Sequence, residues 1–362
     1  MKFLVVPLDR AAVSFCYYAV ESGDSAPIPL DTLGRAVTYA RSRDLTINFI
    51  FSGTEPPSSF AEIMGGVRHA KIVPLSLAAS CPDAVVVLEA DELEAGARLA
   101  DGFSGNVILR FPIDKVDQLF GSLPTLMAKS RRINLCLLGL ERASEADLDR
   151  YRVFLEDLVE VEESQLRGGN ECELSFLTEM LLLDSLRDCN AGIDHLSVGP
   201  DGSLYLCPGF LHGHGGAVGN LMSGPSIPNA RLLAIGHAPI CSICDAYQCK
   251  RCVNLNNKLT LEINTPSRQL CVASHLERNA SSALRSRIAD VPVFSATRPI
   301  LATDYLDPLE ALLRRAEGSG VAPATGKSEG FESSEMIGLL KKISASQDEI
   351  LRLLKGRVHD QG

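Results

Sequence analysis

Seven of the chain's eleven cysteines fall late in its 362 residues, at Cys189, Cys207, Cys241, Cys244, Cys249, Cys252 and Cys271. With Gly202 included, they run C-x12-G-x4-C-x33-C-x2-C-x4-C-x2-C-x18-C. The short loop inside a CxxC lets two sulfurs face one ion or cluster, and two such units four residues apart gather four thiolates. An iron–sulfur cluster takes about four thiolates, so seven suit two 4Fe-4S clusters, with one ligand position left open or filled by another residue. Zinc is the alternative, since it accepts the same ligands at one or two sites. Zinc ribbons usually separate their CxxC units by a longer loop than this one.

An odd number of cysteines would leave one over from a complete disulfide framework. The apolar run Met1–Leu8 is too short for a signal peptide, and Asp9 and Arg10 cut it off. No stretch reaches the roughly 18 apolar residues of a membrane span. The expectation is a cytoplasmic protein with reduced thiols, where clustered cysteines serve as metal ligands. A net charge of −10 argues against binding nucleic acid by general attraction to phosphate.

These thiols need a scaffold, and 46% apolar residues supply enough mass for a core. Lys2–Pro7, Leu45–Phe51, Ala84–Leu88, Asn106–Phe111 and Ile133–Leu138 read as strands. Leu30–Arg43, Asp91–Ala100, Asp114–Lys129 and Glu145–Val159 read as helices between them, the last with Ser144 as N-cap and Glu145 and Asp147 in its first turn. Five or six strands alternating with helices predict an α/β fold with a parallel sheet, either a partial (β/α) barrel or an open doubly wound sheet. Leu174–Asp188 reads as a strongly apolar helix. Beyond it the chain is rich in Gly, Cys, Pro and His, with short strands at His195–Val198 and Leu204–Leu206 around an Asp201-Gly202 turn. Such a loop-rich region gains from a metal the stability its core lacks.

The domains expected are a barrel over 1–170, a cysteine-rich domain over 171–285, a helical extension over 286–316, a flexible linker over 317–335 and a C-terminal amphipathic helix over 336–358. Ile337, Leu340, Ile343, Ile350, Leu351 and Leu354 mark the apolar face of that helix. It would dock on its own protein, on a second copy or on a partner.

The late cysteine run resembles the SPASM domain, the auxiliary-cluster module of radical SAM peptide-modifying enzymes. Gly202–Cys207 (GSLYLC) looks like its Gly-x4-Cys element. The central segment departs a little, with four and two intervening residues where the family usually has five and three. The resemblance implies one cluster on Cys241, Cys244, Cys249 and Cys271. A second would sit on Cys189, Cys207 and Cys252 plus a ligand for which Cys172, His212 and His214 are candidates.

The first half resembles a degenerate radical SAM barrel. That family follows its first strand with CxxxCxxC, whose cysteines hold the catalytic cluster. Here Cys16 matches only the last, with Asp9 and Val13 at the other two positions. Ser52-Gly53-Thr54-Glu55-Pro56 is similar to the turn after the second strand that helps hold S-adenosylmethionine, which makes Gly53 and Glu55 the cofactor-binding candidates. One thiolate does not hold the catalytic cluster, so radical chemistry by this chain alone is not expected.

Across residues 1–285 the chain resembles maturases of CXXX-repeat peptides. The segments Val13–Cys16, Cys207–His212, Cys249–Cys252, Asn257–Glu262 and His275–Arg278 carry the likeness. It implies maturation of a ribosomally made, cysteine-rich precursor peptide, by an enzyme with a non-standard site or by a partner of an active radical SAM enzyme. Two readings stand beside it: a zinc-stabilised peptide-binding protein without catalysis, and an electron-transfer partner.

Single residues have plainer roles to weigh. Cys136, in an apolar strand, reads as a small core residue. His212 and His214, in a glycine-rich loop, are metal ligands, an acid or base, or plain loop polarity. His275 is placed to support a ligand cysteine. Lys250 and Arg251 would offset the charge of a cluster, bind an acidic leader peptide, or face solvent in a turn.

Overall fold

The computed structural model describes residues 1–20, 26–98, 105–170, 172–183, 186–213, 215–238, 241 and 244–291. All of these lie within one compact unit, Met1–Leu306. The linker over 317–335, the helix over 336–358 and the part of the helical extension beyond residue 291 lie outside the described residues.

Nine strands form the main sheet: β1 (Phe3–Pro7), β2 (Thr46–Ile50), β3 (His69–Pro74), β4 (Val85–Glu89), β5 (Asn106–Pro112), β6 (Arg132–Leu138), β7 (Glu173–Leu174), β8 (His195–Val198) and β9 (Leu204–Tyr205). Their order is β7-β6-β5-β4-β3-β2-β1-β8-β9. Every neighbouring pair is parallel except β8 with β9. A two-residue hairpin pairs β10 (Gly219–Asn220) with β11 (Gly224–Pro225). The helices are α1 (Leu30–Ser42), α2 (Ser58–Met64), α3 (Leu93–Gly96), α4 (Leu123–Lys129), α5 (Glu145–Arg167), α6 (Glu179–Leu182), α7 (Pro208–Leu211), α8 (Val253–Thr260) and α9 (Arg268–Arg287). This is the expected α/β partial barrel. Among the described residues no helix is long and apolar enough to cross a membrane.

Strand periodicity sorts the side chains into two cores. One face of the sheet (Leu4, Val6, Phe49, Val86, Leu109, Leu137) packs with the helices into the main core. The other face (Val5, Ile50, Ile72, Val87, Ile108) forms a second cluster. Ala12, Val13 and Phe15, from the loop after β1, fill that inner face.

Several expectations are corrected. The strand β3 was not foreseen, because His69, Lys71 and the closing Pro74 dilute its apolar signal. The run Leu174–Asp188 is not one helix. Leu174 pairs with Ile133 in the sheet, and only Glu179–Leu182 turns helical. A run apolar on all sides has no periodicity to tell helix from buried strand. Asp114–Lys129 divides at Ser122 into tight 3-10 turns over Ile113–Gly121 and then α4, with Pro124 in its first turn. The helix after Ser144 is capped as expected, Asp147 N–H donating to Ser144 Oγ at 3.2 Å, and it runs on to Arg167. Residues 195–198, read as part of the cysteine-rich region, extend the barrel sheet beside β1.

Candidate metal centre

The late cysteines sit at the ends of small elements. Cys207 stands immediately before α7 and Cys252 immediately before α8, while Cys271 lies in the first turn of α9. Cys241 lies in a 3-10 turn, and Cys189, Cys244 and Cys249 lie in irregular segments. None of them is in a disulfide.

Their mutual influence sorts them into two groups. Burial pushes the Cys249 thiol well up, and the neighbouring Cys244, Cys271 and Cys241 push it further. Burial and then Cys244 take Cys241 to about 11. The sulfurs of this group face donors. Ala246 N–H donates to Cys244 Sγ and Arg251 N–H to Cys249 Sγ, both at 3.4 Å. Ser274 Oγ donates to Cys249 Sγ at 3.9 Å, and His275 Nε2 lies 3.5 Å from Cys244 Sγ. Donors around a ligand sulfur favour the thiolate and set the potential of a cluster bound to it.

Cys189, Cys207 and Cys252 form the second group. Burial first raises each to about 12, and then Cys252 acts on Cys189, Cys189 on Cys207 and Cys207 on Cys252. Close packing holds the three segments together. A Cβ on Gly209 would fall 2.5 Å from Asn254 Nδ2, so the chain just after Cys207 lies against the chain just after Cys252. Gly192, at φ +80°, approaches so closely that its Cβ would fall 2.8 Å from Leu206 Cδ2. The N–H groups of Phe210 and Gly209 draw Cys207 back towards the thiolate, as those of Leu255 and Asn254 do for Cys252.

Soft thiol donors in groups of four and three, with N–H groups at the sulfurs, are a donor set that fits iron–sulfur clusters. Among the described residues, no three His, Cys, Asp or Glu side chains converge tightly enough to hold a single metal ion.

Ion pairs brace both groups one residue from the cysteines. Arg251 Nη1 meets Asp188 Oδ2 at 2.5 Å, and Lys250 Nζ meets Glu277 Oε1 at 2.9 Å. Tyr151 OH donates to the same Glu277 oxygen, and Arg278 pairs with Asp245. Lys250 and Arg251 are therefore buried structural charges, neither a solvated turn nor a surface for an acidic leader.

The barrel's inner face continues this polar framework. Arg110 on β5 pairs with Glu89 on β4 and donates from Nε to the carbonyl of Cys16 and from Nη2 to that of Tyr18, both at 3.2 Å. A buried arginine in the apolar run NVILRF was the sequence signal for this site, and it was missed. The Tyr18 ring stacks on His212 with centroids 5.4 Å apart. His212 Nε2 is buried without a hydrogen-bond partner among the described residues. His214 lies outside the described residues. Cys172 precedes β7 at the N-terminal end of the sheet, beside Glu162 and Glu173 and remote from the loop after β1.

Glu55 is exposed and lines a cavity of about 200 Å³ with Asp9, Ser52 and Thr54. Pockets for drug-sized ligands run to about 300–1,000 Å³. Gly53 is exposed beside this cavity, and a methyl group there would meet only Ser76 Oγ, at 3.8 Å.

No family model and no curated protein matches the sequence. Solved structures do. The chain shares its fold with anSMEcpe. Native anSMEcpe with bound AdoMet and Cp18Cys peptide aligns at a TM-score of 0.54 and 13% identity, over 80% of this chain and 99% of that one. Hexahistidine-tagged anSMEcpe with bound AdoMet aligns at a TM-score of 0.48 and 15% identity, over 81% and 96%. At this identity the likeness is one of fold.

Proposed function

We propose that the protein acts in the maturation of a ribosomally made, cysteine-rich peptide, as a cluster-bearing partner of a separate radical SAM enzyme. The observation that carries this reading is the pairing of two cysteine groups with a half-barrel filled by its own loop. Ala12, Val13 and Phe15 occupy the inner face, and the cavity beside Glu55 measures about 200 Å³. Cys241, Cys244, Cys249 and Cys271 would hold one 4Fe-4S cluster, and Cys189, Cys207 and Cys252 a second. Clusters bound there would pass electrons one at a time, at potentials set by their hydrogen bonds and solvation. The chain's own residues do the rest: the buried pairs Lys250–Glu277 and Arg251–Asp188 brace the segments that carry the cysteines, and the N–H groups of Ala246 and Arg251 steady the sulfurs.

A peptide as cargo is supported by the shared fold, since anSMEcpe holds a Cp18Cys peptide. That the cargo is a CXXX-repeat precursor rests on the sequence resemblance. The choice of iron–sulfur clusters over the zinc-stabilised alternative rests on the cysteine spacing and the resemblance.

The test is anaerobic purification of the full chain with iron, sulfide and zinc counted, followed by titration with a synthetic CXXX-repeat peptide. Several irons and sulfides per chain, with saturable peptide binding and no AdoMet cleavage under reduction, is the expected result. One or two zinc ions without visible absorption would replace the proposal with the zinc-stabilised binding protein. AdoMet cleavage by the purified chain would replace the partner role with an autonomous enzyme.

A further inference from the structure

Resting on the cluster-bearing reading above, we infer that Cys16, in the loop after β1, supplies the fourth thiolate to the group of Cys189, Cys207 and Cys252. The barrel and the cysteine-rich region would then share one cluster.

The backbone places Cys16 there. The loop folds back over the inner face of the sheet, with Val13 N–H donating to Phe51 O at 2.8 Å. Arg110 fixes the carbonyls of Cys16 and Tyr18 from below. The Tyr18 ring, two residues on, lies flat against His212, and His212 closes the helix that begins at Cys207. The chain two residues beyond Cys16 thereby packs against the end of the short helix that follows Cys207. The thiols that act most strongly on its own are Cys252, Cys136 and Cys207.

Local chain geometry repeats at every member of the group. The N–H two residues on faces the sulfur at Cys16 (Tyr18), Cys189 (Ala191), Cys207 (Gly209) and Cys252 (Asn254). A turn that aims a backbone N–H at its own cysteine stabilises the thiolate form that a metal requires.

The competitors are less well placed. Cys172 lies at the opposite end of the strands, where burial disfavours its thiolate. Cys136 sits within β6 in register with Arg110, so its position is fixed by the sheet. The His212 ring is stacked on Tyr18, which limits its freedom to turn towards the thiols.

The experiment uses full-length protein purified anaerobically, with iron and sulfide counts, EPR of the reduced protein and far-ultraviolet circular dichroism. Cys249→Ala removes the other cluster and isolates the signal of this one. The inference expects Cys16→Ala to lower iron and sulfide to roughly half, and Cys16→Ser to keep the fold while altering only the EPR signal that survives in Cys249→Ala. Wild-type iron and spectra in both Cys16 variants would overturn it. So would a loss that follows Cys136→Ala or His212→Ala instead. Wild-type protein without iron would remove the cluster reading itself, whereas iron-loaded protein indifferent to Cys16 would remove this inference alone.

Discussion

Arg251 and Asp188 meet at 2.5 Å with their side chains almost wholly withdrawn from solvent, and each adjoins a candidate ligand, Cys252 and Cys189 respectively. Arg251 also donates to the Leu233 carbonyl at 3.1 Å and to Asn264 Oδ1 at 2.8 Å. Removing one partner of a buried pair strands the other charge, at a cost of about 3–5 kcal/mol. Asp188→Asn should therefore lower stability in urea by about that amount and reduce iron content with it. A variant with unchanged midpoint and iron would show that the pair braces nothing.

Gly209 lies so close to Asn254 that any side chain must displace it. Gly209→Ala should separate the segments after Cys207 and Cys252, costing about 1–3 kcal/mol by overpacking. The EPR signal that survives in Cys249→Ala should weaken, while the one lost in that variant should not. Equal loss of both signals would contradict the grouping.

The loop after β1 is short of two cysteines, but its packing matters as much as its composition. Asp9→Cys with Val13→Cys completes a CxxxCxxC with Cys16. Val13 packs against the cluster that includes Val5 and Ile50, and its N–H is bonded to Phe51 O. The double variant should still release no 5′-deoxyadenosine from AdoMet under reduction. Measurable cleavage would show that the inner face opens.

Glu162 on α5 is buried with both carboxylate oxygens unpartnered among the described residues, and burial lifts it from 4.5 to about 8. Folded protein thus keeps a proton that unfolded protein releases between those limits. Stability should be lost as the pH rises from about 4.5 towards 8. Glu162→Gln should flatten that slope, leaving stability at pH 5 near wild type and raising it at pH 8.5 by on the order of 2–4 kcal/mol. Urea midpoints across the range decide it, and parallel curves for the two proteins would refute the assignment.

The parallel α/β character was legible because β1, β2, β4, β5 and β6 are short apolar runs with helical spacing between them. The boundary at Ser144 was legible because a cap is a local hydrogen-bonding motif. Spacing marked the late cysteines as candidate ligands, and the resemblance divided them into two sets. What sequence concealed were relations between distant segments: His195–Val198 against β1, Arg110 against Cys16 and Tyr18, Asp188 against Arg251, and Glu277 against Lys250. A charged residue announces that it needs a partner when buried, but not which one. The run after Leu174 failed for the opposite reason, since a segment greasy on every side carries no period.

Because β8 lies between β1 and β9, the first strand of the chain borders one delivered some 190 residues later. During synthesis, one rim of β1 stays bare until His195–Val198 emerges, and exposed strand rims recruit foreign chains. The segment that covers it leads directly from Cys189 to Cys207. If the proposed clusters are bound, loading the metal and sealing the oldest part of the sheet become one event, and cells starved of iron should accumulate this protein as aggregate rather than as an empty, soluble precursor.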